Sequence, residues 1–236
     1  MIPAISDDVS PTRYTYPFEM LPVSCQIVEG TECIRPLSQI AIEGMIVAGV
    51  EQIVMPVNEH KMEVMRYYRN GTQIGIPISY VFDGYAGFVN AINSCYHVIR
   101  GARVVMVAPG ITKASIVSTV VQYHIKNKAD VTLSVSQNTK VNAESGIVAV
   151  THGQMSGVFV WEPAFTELLR ERTIEQRESS TISFQEMITH AIDAEMNVKA
   201  VKLPYSQFVN DASSWSKAVT MLKQQENMLI DGIDEN

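Results

Sequence analysis

Two adjacent carboxylates in the first turn of the chain could hold a metal ion. Asp7 and Asp8 follow the short apolar run of residues 2–5 in the stretch IPAISDDVSP. A turn after a first strand commonly holds phosphate through its backbone amides, and glycines allow that close approach. This turn contains no glycine. Two interpretations therefore stay open: Asp7 and Asp8 are ligands for Mg²⁺, or they belong to a solvated turn, where paired Asp is common.

Nearby polar residues extend this candidate site. Ser6 and Ser10 flank the aspartates and are candidate binding residues of the same turn. Arg13 could offer a positive charge to a phosphate, or it could be a surface residue. Glu19 lies in the stretch PFEMLPV, which we interpret as the floor of a pocket. Its carboxylate is therefore either a pocket-lining group or a structural one.

A glycine-containing turn forms a second candidate binding region. The turn at residues 83–87 includes Gly84 and Gly87 and precedes a predicted helix that carries Asn90. Backbone amides at the start of a helix can bind an anion or the edge of a uracil without any side chain. The same amides can instead be satisfied by the chain itself as a helix cap. Contact with a ligand and simple capping both remain possible interpretations of this turn.

Composition limits the classes of protein to which the chain can belong. It has 236 residues, of which 46% are hydrophobic, and a formal net charge of -7, so one domain can bury a substantial core. The 18 Lys and Arg residues are scattered, which argues against a nucleic-acid groove. No apolar run approaches the roughly 20 residues of a membrane span, and no signal-peptide pattern begins the chain. Three cysteines without metal-type spacing suit a reducing compartment, so we expect a cytoplasmic protein.

Apolar periodicity predicts alternating strands and helices in the first half of the chain. This βαβαβαβ order indicates a parallel, right-handed sheet with helices on both faces. Gly49 and the pair Asn70-Gly71 are the predicted stops of the first two helices. The predicted strands are 1–5, 51–57, 76–82 and 102–108, and the predicted helices are 35–49, 58–70 and 88–99.

The second half predicts a mixed sheet within the same domain. Two predicted strands, 146–152 and 156–162, lie close together in sequence. Pro163 suits the first position of a helix, and Ser183 with Glu186 forms a capping-box pattern before another helix. We interpret the polar stretch 171–182 as a loop. The remaining predictions are helices at 112–128 and 213–225, strands at 129–137 and 197–205, one domain over residues 1–230, and a frayed tail at 231–236.

Several stretches, taken in order, resemble the sugar-1-phosphate nucleotidylyltransferases, and most closely the UTP–glucose-1-phosphate uridylyltransferases. The similarity covers nearly the whole chain. PFEMLPV is similar to the family's PKEMLPV, and SGVFVWEPAF is similar to AGIYVFEPEVF. The other matching stretches are IPA at residues 2–4, the run from Arg35 to Lys61, KADVTLSV at 128–135 and FVNDASSWSKAV at 208–219.

The resemblance implies both a fold and a reaction. The implied fold is a three-layer α/β/α nucleotide-diphospho-sugar transferase fold, GT-A-like and Rossmann-like, with a mixed, mainly parallel sheet. The implied reaction joins a nucleoside triphosphate to a sugar 1-phosphate, giving a nucleotide sugar and pyrophosphate. Such in-line transfer depends on positioning and on positive charge around the phosphates, with Mg²⁺ as the cofactor. Gly157 matches a family glycine at the sugar pocket, although it could serve only close strand packing.

The chain departs from the family at each of its phosphate-handling positions. The glycine-rich GxGTR loop is absent, and Phe18 stands where the family has lysine. The first metal aspartate falls at Pro109 or Gly110. The second falls at Asn210, so Asp211 and Asp8 become the candidate metal ligands.

Each such lost contact typically lowers the rate by about 10²–10³-fold. We therefore expect a noncatalytic or regulatory relative that binds a nucleotide, a sugar nucleotide or a partner subunit, with no metal cofactor required. The alternative is a divergent active enzyme in which Asp7, Asp8 and Asp211 rebuild a Mg²⁺ site. A third possibility is a structural subunit of a homo-oligomer. The sequence predicts no nucleic-acid or membrane partner.

Overall fold

The computed structural model describes most of the chain between residues 17 and 220. The described ranges are 17–27, 31–83, 87–108, 110–111, 114–136, 155–175, 182–203, 207–208, 215–217 and 219–220. The predicted strands at 1–5 and 146–152 and the tail at 231–236 lie outside them, as do six candidate site residues and Gly84. Those six are Ser6, Asp7, Asp8, Ser10, Arg13 and Asp211.

The described part of the chain follows the predicted alternation closely. A 3-10 turn, Phe18–Met20, comes first. The strands are β1 (Pro22–Ile27), β2 (Thr31–Pro36), β3 (Ile53–Val57), β4 (Ile78–Phe82), β5 (Val104–Val107), β6 (Gly110–Ile111), β7 (Val131–Ser136), β8 (Met155–Trp161), β9 (Val198–Leu203) and β10 (Gln207–Phe208). The helices are α1 (Leu37–Val47), α2 (Met62–Tyr68), α3 (Phe88–Ser94), α4 (Tyr96–Ile99), α5 (Ala114–Lys126), α6 (Pro163–Glu175) and α7 (Phe184–Asp193).

The largest described sheet is mixed, with one reversed strand. Its order is β5-β8-β7-β9. β8 runs antiparallel to both β5 and β7, and β7 pairs in parallel with β9. Consequently β5, β7 and β9 all run in one direction and only β8 opposes them. β3 and β4 form a separate parallel pair. The predicted mixed, mainly parallel sheet is confirmed.

Two apolar cores lie on opposite faces of these strands. Along β5, Val104 and Met106 belong to one core, whereas Val105 and Val107 belong to the other. This alternation follows from the two-residue period of a strand, and it requires helices on both faces. The first core also contains residues of α3, α6 and α7, and the second contains residues of α1, α2 and α5. The chain therefore has the predicted three layers.

Local signals explain where several elements begin and end. Gly49, just after α1, has φ +79, and Gly71, after α2, has φ +83; both conformations favour glycine. The Ser183 hydroxyl accepts from the Glu186 backbone N–H, and the Glu186 carboxylate accepts from the Ser183 N–H, so the predicted capping box is present. None of the helices found in the described ranges is long and apolar enough to cross a bilayer.

Three local predictions were incomplete or wrong. Residues 171–175, predicted as loop, continue α6, where the Thr173 hydroxyl donates to the Leu169 carbonyl at 2.7 Å. The predicted helix over 88–99 is divided at Cys95, whose N–H bonds to the Ile92 carbonyl in a tighter turn. The β1–β2 hairpin was missed altogether. Its register places Cys25 opposite Cys33.

Helices α1 and α5 approach each other closely at Gly44. A Cβ atom added there would lie 2.7 Å from Cγ2 of Val117, which is fully buried in the second core. Val117 is β-branched, so its methyl group cannot rotate away freely. The absence of a side chain at position 44 is what allows this spacing.

We predict that Gly44→Ala destabilises the protein by up to roughly 2 kcal/mol. Overpacking of about 1–3 kcal/mol should exceed the roughly 1 kcal/mol that alanine gains in a helix. Urea unfolding measures the change. The double variant Gly44→Ala/Val117→Ala provides the control, because removing the valine methyl groups should make the combined loss smaller than the sum of the single losses. A stabilised Gly44→Ala protein would contradict the close approach.

A buried histidine joins α5 to the sheet. His124 is fully buried; its Nδ1 lies 2.8 Å from the Thr132 hydroxyl and its Nε2 lies 3.1 Å from Glu162 Oε1. Glu162 Oε1 also accepts from Arg103 Nε at 2.6 Å. Burial lowers the pKa of His124, and the hydrogen bond to Glu162 opposes that effect. Burial alone would raise the pKa of Glu162, but the hydrogen bonds from Arg103 and His124 lower it overall.

We predict that the free energy of unfolding falls as the pH drops below about 6.5. The pKa of His124 is lower in the folded chain than in the unfolded one, so the unfolded chain binds more protons in this range. Urea unfolding at a series of pH values measures the slope. His124→Gln should flatten it, whereas His97→Gln, at an exposed position on α4, should leave it unchanged. An unchanged slope in His124→Gln would show that His124 is not responsible.

Candidate functional site

The carboxyl end of the β3–β4 pair forms the described part of the candidate site. Val57 and Phe82 end these two strands and are register partners. Ligands of open α/β sheets bind outside the carboxyl ends of parallel strands. The Asp83 N–H donates to the Val57 carbonyl at 2.7 Å, which holds the chain across this end just after β4.

A buried ion pair supports this end of the sheet. Lys61 Nζ lies 2.8 Å from Glu19 Oε1, and both side chains are only 7% exposed. Glu19 comes from the 3-10 turn, which is closed by a hydrogen bond from the Met20 N–H to the Pro17 carbonyl at 2.9 Å. Lys61 comes from the turn between β3 and α2. Two groups that are 42 residues apart in sequence therefore neutralise each other inside the protein.

A small cavity lies beside this pair. Ser38 stands in the first turn of α1, and its hydroxyl is 2.7 Å from the Tyr68 hydroxyl. Burial raises the pKa of Tyr68, so its hydroxyl stays protonated and can donate. The residues around the cavity are Glu19, Ser38, Met55, Pro56, Val57, Lys61 and Val64.

The ion pair explains Glu19 as a structural residue, although Glu19 also lines the cavity, so its contact with a ligand stays a prediction. Its carboxylate is buried and faces an ammonium group, so it is not available as a metal ligand. The Lys61 ammonium is likewise engaged by an internal carboxylate. If one partner moved away to bind a ligand, the other charge would stay buried without compensation, which would cost stability. We infer that the pair shapes the floor of the site.

Gly87 and Asn90 lie at the start of α3. Gly87 is exposed with φ +105, and its carbonyl accepts the first helical hydrogen bond, from the Ala91 N–H at 3.0 Å. The conformation alone explains a glycine at this position. Asn90 is half-buried on α3, a helix of seven residues. Their predicted contact with a ligand stays a prediction, and Gly84 lies outside the described residues.

Gly157 is buried in an irregular part of β8. Its φ is +85, and the pairing of β7 with β8 shifts between Leu133 and Val135 at this point. The Ser134 hydroxyl accepts from the Val158 N–H at 2.9 Å, and the Gly157 carbonyl accepts from the Ala108 N–H at 2.8 Å. The bulge therefore explains the glycine without a ligand. It also lies at the carboxyl end of β5, so a sugar contact stays a prediction.

The described residues do not offer a Mg²⁺ site. β6 pairs with β10, which places Gly110 opposite Phe208, two residues before Asn210. Gly110, one of the positions that the resemblance links to a metal, carries no carboxylate, and Asn210 lies outside the described residues. Within the ranges that the structure describes, no three His, Cys, Asp or Glu side chains gather closely enough to hold an ion. Asp7, Asp8 and Asp211 are not among those residues.

Two residues at this end of the sheet were missed by sequence reasoning. Lys61 was part of a matching stretch, but no pattern indicated a partner so distant in sequence. Phe82 was assigned only to a strand, and in the structure its side chain is 67% exposed. The pairing of Lys61 with Glu19 could not be deduced without the fold. An aromatic residue next to a glycine-containing stretch, in contrast, was a sequence signal that could have identified Phe82.

The three layers and the single reversed strand define a nucleotidyltransferase-like α/β fold, which solved structures share. A Bacillus anthracis protein assigned as a glucose-1-phosphate thymidylyltransferase, in complex with sucrose, matches with a TM-score of 0.73 and 11% identity over 94% of this chain and 93% of that one. An apo UDP-glucose pyrophosphorylase matches with a TM-score of 0.69 and 16% identity, over 95% of this chain and 97% of that one. A UDP-glucose pyrophosphorylase complexed with UDP-glucose gives 0.68 at the same identity and coverage.

The chain therefore has the fold of the sugar-1-phosphate nucleotidylyltransferases, as the sequence resemblance predicted. No protein-family model matches the sequence, and no curated protein matches it. At these levels of identity the likeness defines the fold, and the chemistry has to be argued from the residues themselves.

We predict that Lys61→Met lowers the free energy of unfolding by about 3–5 kcal/mol, because it leaves the Glu19 carboxylate buried without a partner. Urea unfolding measures the loss. The double variant Glu19→Gln/Lys61→Met should recover much of it, since no charge is then buried. Lys126→Met, at an exposed position on α5, is the matched control and should change stability by no more than about 0.5 kcal/mol. A Lys61→Met effect equal to that of the control would contradict the buried pair.

Proposed function

We propose that the chain is a noncatalytic or regulatory relative of the sugar-1-phosphate nucleotidylyltransferases that binds a nucleotide or a nucleotide sugar. In this proposal residues 1–230 form one cytoplasmic domain, and neither nucleic acid nor membrane is a partner. The fold and the neighbour that holds UDP-glucose support binding of this ligand class. The departures at the phosphate-handling positions argue against turnover.

The observation that carries the proposal is the replacement of the family's lysine by Phe18 in a turn whose neighbouring lysine, Lys61, is already paired with Glu19. Transfer at the α-phosphate needs positively charged groups that stabilise the negative charge developing on the phosphate oxygens. Phe18 replaces the family's lysine, and the lysine that the structure places next to this turn is engaged by Glu19 at 2.8 Å. A nucleotide sugar can still be held by shape and by hydrogen bonds without that charge. Binding without catalysis therefore fits the described residues best.

A divergent active enzyme is the second candidate. The pairing of Gly110 with Phe208 favours it, because it draws the segment leading to Asp211 towards the end of β5. In that case Asp7, Asp8 and Asp211 would hold Mg²⁺, which would supply the positive charge that the phosphates need. Ser6, Ser10, Arg13, Gly84, Gly87, Asn90 and Gly157 would then contribute binding contacts.

We predict that UDP-glucose raises the melting temperature of the protein in the presence of EDTA. A ligand that binds only the folded state adds about 2.7 kcal/mol at a concentration of about 100 times its Kd. For a chain of this size that corresponds to a rise of roughly 5–10 °C. Differential scanning fluorimetry measures the shift, with sucrose at the same concentration as the control for general stabilisation by a sugar.

Turnover is followed in parallel with UTP, glucose 1-phosphate and Mg²⁺, by measuring release of pyrophosphate. A thermal shift without pyrophosphate release supports the proposal. Sustained release by purified protein would favour the divergent enzyme, and Asp211→Asn should then abolish it. If neither UDP-glucose nor UTP shifts the melting temperature, the chain does not bind this ligand class, and a structural subunit becomes the better account.

A further inference from the structure

A large aromatic side chain stands in solvent at the end of β4. Phe82 is 67% exposed, although Tyr80, two residues earlier on the strand, packs against the second core. Because side chains alternate along a strand, Phe82 lies on the same side as Tyr80 but beyond the edge of that core. The ring of Phe82 thus lies on the apolar side of the strand, but the second core does not cover it.

Its position relative to the cavity is fixed by the strand pairing. Phe82 is in register with Val57, which lines the cavity beside Glu19 and Lys61. Residues in register on parallel strands project to the same face of the sheet. The ring of Phe82 therefore lies on the same face of the strand pair as the cavity-lining Val57, at the end of the strands where ligands of α/β proteins bind.

The chemistry of this surface selects a flat and uncharged group. The nearby lysine is neutralised by Glu19, so the floor offers no net charge to a phosphate. The phenyl ring offers a planar apolar face, on which a heterocyclic base can stack. Other exposed large apolar residues lie elsewhere: Ile34 on β2 and Val47 at the end of α1 are aliphatic, and the aromatic Tyr67 is on α2 and is less exposed than Phe82.

We propose that Phe82 is the residue on which the base of a bound nucleotide or nucleotide sugar stacks. This inference rests on the proposed function and adds the way in which the base is held. An aromatic contact of this kind accepts any base, so it contributes affinity, while discrimination among bases would come from hydrogen bonds at their edges.

Isothermal titration calorimetry with UDP-glucose tests the proposal on three variants. Phe82→Ala and Phe82→Leu should weaken binding by about 5- to 150-fold, since stacking on an aromatic ring is lost in both. Phe82→Trp should retain the affinity of the wild type, and stacking of the base should quench the fluorescence of the new indole. Ile34→Ala, at a residue that is 77% exposed on β2, is the control and should bind as the wild type does.

The outcomes separate this inference from the proposed function. If the wild type binds UDP-glucose and Phe82→Leu binds it equally well, the stacking role is wrong and the proposed function stands. If the wild type binds neither UDP-glucose nor UTP, both are wrong. If Phe82→Ala leaves UDP-glucose binding unchanged but alters the mass measured by analytical ultracentrifugation, the ring belongs to a subunit contact, which also overturns the proposal.

Discussion

The burial of β3 and β5 on both faces is the constraint on which the rest of this structure depends. All five residues of β3 and all four of β5 are buried. A strand of this kind is stable only when helices cover both sides, so the two helical layers and the sheet have to assemble together. The near-continuous apolar sequences of these strands therefore determine the three-layer architecture. Because the strand interiors are buried, substitutions are tolerated best at the strand ends, where side chains leave the core.

That constraint explains which features could be predicted. The strands and most helices follow from apolar periodicity, and the capping box at Ser183 and the stop at Gly49 follow from local backbone chemistry. The β1–β2 hairpin was missed because pairing between two short runs is a tertiary feature with no period of its own. α6 continued past its predicted end because its charged residues, including Arg172 and Glu175, are good helix formers on an exposed face and form an ion pair.

The site was less predictable than the fold, for an electrostatic reason. The sequence shows which charged residues are present, but their effect depends on what they face. From the sequence Glu19 could be either a pocket-lining or a structural residue, and the structure places it against Lys61, where the two charges cancel. Gly157 looked like a contact for a sugar, and a bulge is sufficient to require it. In both cases the residue matches a functional motif, but a structural contact is enough to account for it: the ion pair for Glu19 and the bulge for Gly157. Around Phe82, in contrast, an accessible aromatic surface has no such role in the scaffold.

The contacts of Glu162 have a consequence for how this fold tolerates change. Its carboxylate links Arg103, just before β5, with His124 on α5, at the amino ends of β5 and β7. This linkage fastens the rim of the sheet that lies opposite the candidate site. At the opposite rim the buried pair of Glu19 with Lys61 has the corresponding role, so the exposed residues around that pair contribute little to the architecture. An ancestral protein with this arrangement could replace its ligand-facing residues one at a time and still fold. Its reaction could therefore change while its architecture stayed the same.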